Sequence, residues 1–196
     1  MKKNLITSIL YTVVTTILLG LIYPVLVVGL ARIWPNQANG QLITRNGVVV
    51  GSRIIAQPFV GPQYFHPRPS AAGTNGYDAT NSGGTNWGPT NQKLIDRVKG
   101  DVATLQAENP GKPIPVDLIT ASGSGLDPDI TPAAAEFQVP RIAKARAMTE
   151  DAVRKVVQEH TQGRQFGFFG EARVNVLELN LVLDSQLPTK NIGQAK

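Results

Sequence analysis

Leu5–Leu30 reads LITSILYTVVTTILLGLIYPVLVVGL, 26 consecutive residues without a charge. As a helix rising about 1.5 Å per residue it reaches about 39 Å, against a bilayer hydrocarbon core of about 30 Å. The stretch therefore predicts one transmembrane helix with length to spare for tilt. Pro24 predicts a bend inside it, which membrane helices tolerate where a neighbour satisfies the freed carbonyl. Trp34 falls where an interfacial aromatic belongs. A cleaved signal peptide is the competing reading, since Gly29, Leu30 and Ala31 have the small residues a cleavage site needs. A signal core runs only about 7–15 residues, so an uncleaved anchor is expected. Lys2 and Lys3 precede the span while Arg32 and Arg45 follow it. The positive-inside rule and the short leading tail both place the N-terminus in the cytoplasm and the rest of the chain outside.

Working outward, residues 1–32 are read as tail and anchor and residues 33–196 as one soluble domain. The 196-residue chain carries a net charge of +5 and no cysteine. Without cysteine there is no disulfide framework, thiolate metal site or cysteine nucleophile. Three of the cations flank the span, so the soluble part is only about +2, with no basic element concentrated enough for nucleic acid.

The soluble part reads as mixed α+β. Gln41–Val50 predicts a β-hairpin around Asn46-Gly47, the pair a type I′ turn prefers, and Arg53–Ala56 a further short strand. Tyr64–Asn91 is a loop of 28 residues whose only charges are Arg68 and Asp78; a loop of that length is usually functional or an interface. Leu94, Ile95, Val98, Val102 and Leu105 recur at helical spacing, weakened by Gly100 and ended by Asn109-Pro110-Gly111. Val116–Thr120 predicts a buried strand running into the loop Ser122–Gly125. Thr131-Pro132 starts a helix that Val139-Pro140 should break. Thr149 caps a helix from Glu150 to His160 with a Val153, Val156, Val157 stripe. Leu177, Leu179, Leu181 and Leu183 alternate with polar residues and predict a half-buried strand.

Catalytic motifs are missing from the sequence. It has no G-x-x-x-x-G-K-[ST] loop, no G-x-S-x-G elbow and no complete dinucleotide fingerprint. His160 ends a helix, a capping position, and His66 sits in a proline-rich loop where a structural hydrogen bond is the plainer role. Asp127 and Asp129 supply two carboxylates without a third ligand at useful spacing, so no metal is expected. Ser122–Gly125 is open to two readings, a backbone anion cradle or a tight turn. Thr74–Asp78 has a faint likeness to a potassium filter but lacks the pore setting one requires.

The ordered set Tyr64–Ala71, Gly88–Asn91, Pro115–Pro128, Pro132–Ala135, Gln138–Arg141 and Val174–Asp184, together with the anchor, resembles the C subunit of the Kdp-type potassium-transporting P-type ATPase over nearly the whole chain. Asp129 stands where that family commonly has histidine. The resemblance implies a non-catalytic accessory subunit of a high-affinity potassium uptake complex. The D-K-T-G-T phosphorylation motif is absent, as such a subunit requires. Implied partners are the ATPase subunit, the channel-like subunit, the small subunit and the inner membrane. It further implies a catalytic chaperone that raises the ATPase subunit's affinity for ATP, with Gln138 as the residue linked to nucleotide. ATP is cytoplasmic and the expected topology puts this domain outside, so such an effect would have to pass through coupled states of the partners. Tyr64, Phe65, His66, Arg68 and Trp87 are the expected partner contacts, because aromatics and arginine are favoured interface anchors. The alternative reading is a membrane-anchored extracytoplasmic binding module or hydrolase.

Overall fold

The structure, a computed structural model, describes residues 1–186. The chain divides into two units, Met1–Leu42 and a second beginning at Ile43.

In the first unit, α1 (Lys2–Ile17), a π turn (Leu18–Ile22) and α2 (Tyr23–Ala31) make one helix of 30 residues. It is long and apolar enough to cross a membrane, with mean hydropathy 2.4 and none of that stretch buried. The π turn has a local cause. Pro24 has no N–H and its ring crowds the carbonyl four residues back, on Gly20. One widened turn, with the Tyr23 N–H donating to Leu18 O, absorbs that conflict. A short helix, α3 (Pro35–Ala38), follows Trp34 with proline at its first position.

The hairpin strands β1 (Leu42–Arg45) and β2 (Val48–Ser52) pair through Asn46-Gly47, at φ 52° and 80°. Both turn residues are left-handed, as the type I′ turn requires. In the second unit, α4 (Gln92–Glu108) is capped by Asn91, whose Oδ1 accepts from the Lys93 N–H at 2.9 Å. A three-stranded antiparallel sheet has the order β3 (Asp129–Ile130), β5 (Arg173–Asn175), β4 (Thr161–Gln162). Its register pairs Ile130 with Val174 and Thr161 with Val174. Around it pack α5 (Pro132–Arg146), α6 (Glu150–Glu159) and α7 (Val176–Gln186). Thr131 and Thr149 cap α5 and α6 through their hydroxyls. The core lies between these helices and the sheet, centred on Phe65, Val139, Ile142, Val153, Val174, Leu179 and Leu183, all fully buried.

Four local expectations are overturned. The C-terminal leucine run is helix α7, not a strand. Its alternation of two hides a second pattern: Val176, Leu179, Asn180 and Leu183 are buried at helical spacing. Asn175 starts that helix by accepting the Glu178 N–H at 3.1 Å. Pro140 does not break α5, which runs on to Arg146. Proline costs the helix one hydrogen bond and some crowding, but Phe137, Val139, Ile142 and Ala143 on both sides of it are buried in the core. Val116–Thr120 is no strand but a 3-10 turn over Val116–Leu118. Pro115 sets its entry, and the buried Asp117 carboxylate accepts from the Thr131 N–H at 2.8 Å. Arg53–Ala56 is a turn leaving β2. Its backbone finds partners elsewhere, the Ala56 N–H donating to Leu126 O and the Arg53 carbonyl accepting from Asn175.

Candidate functional site: the clamped segment Gly61–Arg68

The segment Gly61–Arg68, which leads into and begins the long loop, carries four of the five expected contact residues. Pro67 and Pro69 bias their predecessors toward extended backbone, and an extended chain turns the polar groups of successive residues to opposite edges. Two buried side-chain amides use those edges. Asn180, from α7, accepts from the Phe65 N–H at 2.8 Å and donates to Phe65 O at 3.0 Å. Gln138, from α5, does the same for His66: Oε1 accepts from its N–H at 2.8 Å and Nε2 donates to its carbonyl at 3.2 Å. Each amide replaces the neighbour a β-strand would have had.

Gln138 is 1% exposed. Its Oε1 also accepts from Arg141 Nη2 at 2.7 Å, and its Nε2 also donates to Ala134 O at 3.3 Å. An amide has two donors and two acceptor sites, so the capacity of Gln138 is used within its own domain. Two arginines complete the clamp. Arg141 donates to Pro62 O and Tyr64 O, both at 2.8 Å, and to Glu108 at 2.7 Å. Arg146 donates to Gln63 O and Asp184, both at 2.7 Å, and its guanidinium lies 5.3 Å from the Tyr64 ring centre.

The five expected contact residues thus sit differently. The Phe65 side chain is wholly inside the core and serves to seat the segment. Tyr64 is half-buried between Phe59 and Arg146. The His66 Nε2–H donates to Gly61 O at 3.0 Å. Burial first, then the nearby Arg141 cation, hold its pKa below 6.5. Arg68 pairs with Asp127 at 2.9 Å and reaches the Thr120 carbonyl at 3.4 Å. Trp87 is half-buried farther along the loop, and among the described residues no hydrogen bond or ring pair joins it to the other four. Sequence reasoning missed Asn180, Arg141, Arg146 and Asn175. Arg141 lies in the Gln138–Arg141 motif and Asn175 and Asn180 in Val174–Asp184, but a short motif does not say which backbone a polar side chain will clamp.

The long loop is likewise stitched to its own domain. The Tyr77 hydroxyl donates to Arg68 O at 2.8 Å, and burial pushes its pKa up to about 12. Ser70 Oγ accepts from the Tyr77 N–H at 2.7 Å, and the Gly83 N–H donates to Ser124 O at 2.8 Å. In the Ser122–Gly125 loop the Ser122 N–H donates to Pro69 O and the Gly125 N–H to Ser122 O. Those two bonds, with the Gly83 N–H on Ser124 O, make it a turn held against the long loop.

Asp129 pairs with Arg173 at 3.0 Å and accepts from Asn175 at 3.1 Å. Its pKa is raised by burial, against the pull of those two partners. Among the described residues, no three of His, Asp and Glu gather to hold a metal ion. A groove of about 700 Å³ has Pro113, Ile114, Pro115, Phe137 and Pro140 in its wall. Arg154 on its rim is held by Glu136, Glu150 and Asp151 at 2.7, 2.6 and 3.0 Å. Neither His66 nor Gln138 lines it.

The family model described as "K+-transporting ATPase, c chain" matches residues 5–185. The potassium-transporting ATPase KdpC subunit of Koribacter versatilis is 68% identical over 189 residues, 96% of this chain and 97% of the relative. The KdpC subunit of Acidobacterium capsulatum is 58% identical, covering 93% and 98% of the two chains. That of Methylobacterium nodulans is 53% identical, covering 94% and 98%. A match that runs from the anchor helix through the clamp residues to α7 leaves one conclusion: the chain belongs to the KdpC family, the non-catalytic c chains of potassium-transporting ATPases.

Proposed function

We propose that the chain is the accessory subunit of a high-affinity, ATP-driven potassium uptake complex, required for its assembly and activity. Its partners on this reading are the ATPase subunit, the channel-like subunit and the small subunit. The apolar helix anchors it in the cell membrane with the N-terminus cytoplasmic and the soluble domain outside. The family match over residues 5–185 is the observation that carries the reading.

Its effect on ATP, on this proposal, is that of a catalytic chaperone acting at a distance. Gln138 has no free hydrogen-bonding capacity to offer a nucleotide, because its amide is spent on His66, Arg141 and Ala134. It serves as a positioning residue: it fixes the segment Tyr64–Arg68, and that segment with Trp87 presents the domain to the partners. A change in the clamp then alters which partner states are favoured, and coupling between sites does the rest.

Two measurements test this. A reporter fused after Lys196 should be active only in its exported form; cytoplasmic activity would overturn the topology. In the assembled complex, Gln138→Ala should raise the ATP concentration for half-maximal hydrolysis several-fold, while the partners still copurify. An unchanged ATP dependence in an assembled complex would remove the chaperone role of this residue.

A further inference from the structure

Between β4 and β5 the chain makes an excursion, Arg164-Gln-Phe-Gly-Phe-Phe-Gly-Glu171, whose three phenylalanines face out. Phe166 is 88% exposed, Phe168 65% and Phe169 57%. At about 150–250 Å² per aromatic side chain, that leaves several hundred Å² of apolar surface in one place. Patches of that size on single chains are often functional.

The tip is built rather than loose. The N–H groups of Gln165 and Phe169 each donate to the other's carbonyl at 2.9 Å, closing a small hairpin. Phe166 and Gly167 take φ of 53° and 82°. A bulky residue in the left-handed region is unusual and costs free energy, yet here it throws the Phe166 ring clear of the domain. The Phe168 and Phe169 rings pack on each other, centres 4.2 Å apart. Arg164 and Glu171 pair at 2.7 Å across the base.

We infer that this knuckle is a docking anchor that inserts into an apolar socket on a partner subunit of the complex, on the same side of the membrane as this domain. The inference rests on the accessory-subunit reading above and names a surface for it. Local charge chooses a protein socket over a lipid surface. Arg164 and Glu171 are the only charges from Thr161 to Ala172, and they neutralise each other. A loop that enters anionic lipid carries unpaired Lys or Arg, and interfacial Trp or Tyr; this one has neither. A rigid, neutral, aromatic projection instead has the make-up of an interface hot spot, whose anchors lie in dry pockets.

The test uses the full chain produced in membranes together with the other subunits of its ATPase and extracted in mild detergent. The double change Phe166→Ser with Phe168→Ser should lower recovery of the partners about tenfold or more, by the usual weight of buried aromatic anchors. The melting temperature of the chain should hold, because both rings are exposed. A benzoylphenylalanine photocrosslinker at position 168 should join the chain to a partner subunit, which decides the matter even if the double variant melts low. Full recovery of partners by a folded double variant would overturn the proposal. Crosslinks to lipid alone would also overturn it, in favour of a bilayer contact. If the unaltered chain brings no partners at all, the accessory-subunit reading itself has failed, and this surface with it.

Discussion

Two buried amides and one histidine set the behaviour of the clamp at the residue scale. Asn180→Ala strands the N–H and carbonyl of Phe65, both inside the core. Unpaired buried polar groups cost about 1–3 kcal/mol each, so a loss of about 3 kcal/mol is expected. For a chain of this size that lowers the melting temperature on the order of 10 °C; thermal unfolding followed by circular dichroism reads it. His66 gives the domain a pH response. Its folded pKa lies below 6.5 through burial and Arg141, so the unfolded chain takes up the proton first as pH falls. Stability is therefore full above about pH 6.5 and declines below it, by at most about 1.4 kcal/mol per pH unit, until the lowered folded value is passed. Melting temperatures from pH 7.5 to 5.5 should fall for the native chain and fall less for His66→Asn. Parallel curves would show that His66 is not the group responsible. The structural hydrogen bond of His66 was legible in the sequence, but its place in the clamp was not. His66 and Gln138 are 72 positions apart, and only the fold brings an α5 side chain against that backbone.

Two glycines separate propensity from packing at the element scale. Gly100 lies inside α4 with nothing within 4 Å of a Cβ built on it. Gly100→Ala should stabilise the domain by about 0.8–1 kcal/mol, the helix-interior difference between the two residues. Gly125 has φ 67°, and a Cβ there would lie 2.7 Å from both the Ala72 N and the Gly83 O. Gly125→Ala should destabilise by about 2 kcal/mol or more, from left-handed strain plus a backbone clash. Urea midpoints of the two variants should move in opposite directions. The same contrast explains which elements could be read in advance. The α6 stripe and the Asn46-Gly47 turn were readable because local chemistry decided them. The α7 leucines fit a strand or a helix equally well until Asn175 capped the start and Asn180 turned inward onto Phe65.

For the whole molecule, the anchor helix is the part whose surface is least accounted for. None of its apolar span is buried, Gly20 and Gly29 leave room for close approach, and small residues are where membrane helices pack. Pro24 also leaves the Gly20 carbonyl without its usual helical donor. Replacing residues 1–32 by an unrelated single-pass helix should reduce recovery of partner subunits from detergent extracts several-fold. Full recovery and full transport would make the span a tether only.

The sequence by itself determined the long apolar helix, the hairpin turn, the helix caps at Thr131 and Thr149, and the family. Each depends on residues that are neighbours in the chain, or on an ordered set of short motifs. Only the tertiary structure decided that Pro140 stays inside a helix, that Val116–Leu118 turns rather than pairs, and that the leucine run is α7. In those places the local preference was weak or opposed, and burial against residues far along the chain outweighed it. The loop aromatics followed the same rule. Phe65 was drawn into the core because the Asn180 amide satisfied both its backbone groups there. Phe166, Phe168 and Phe169 stayed outside because the short hairpin between β4 and β5 holds them clear of it.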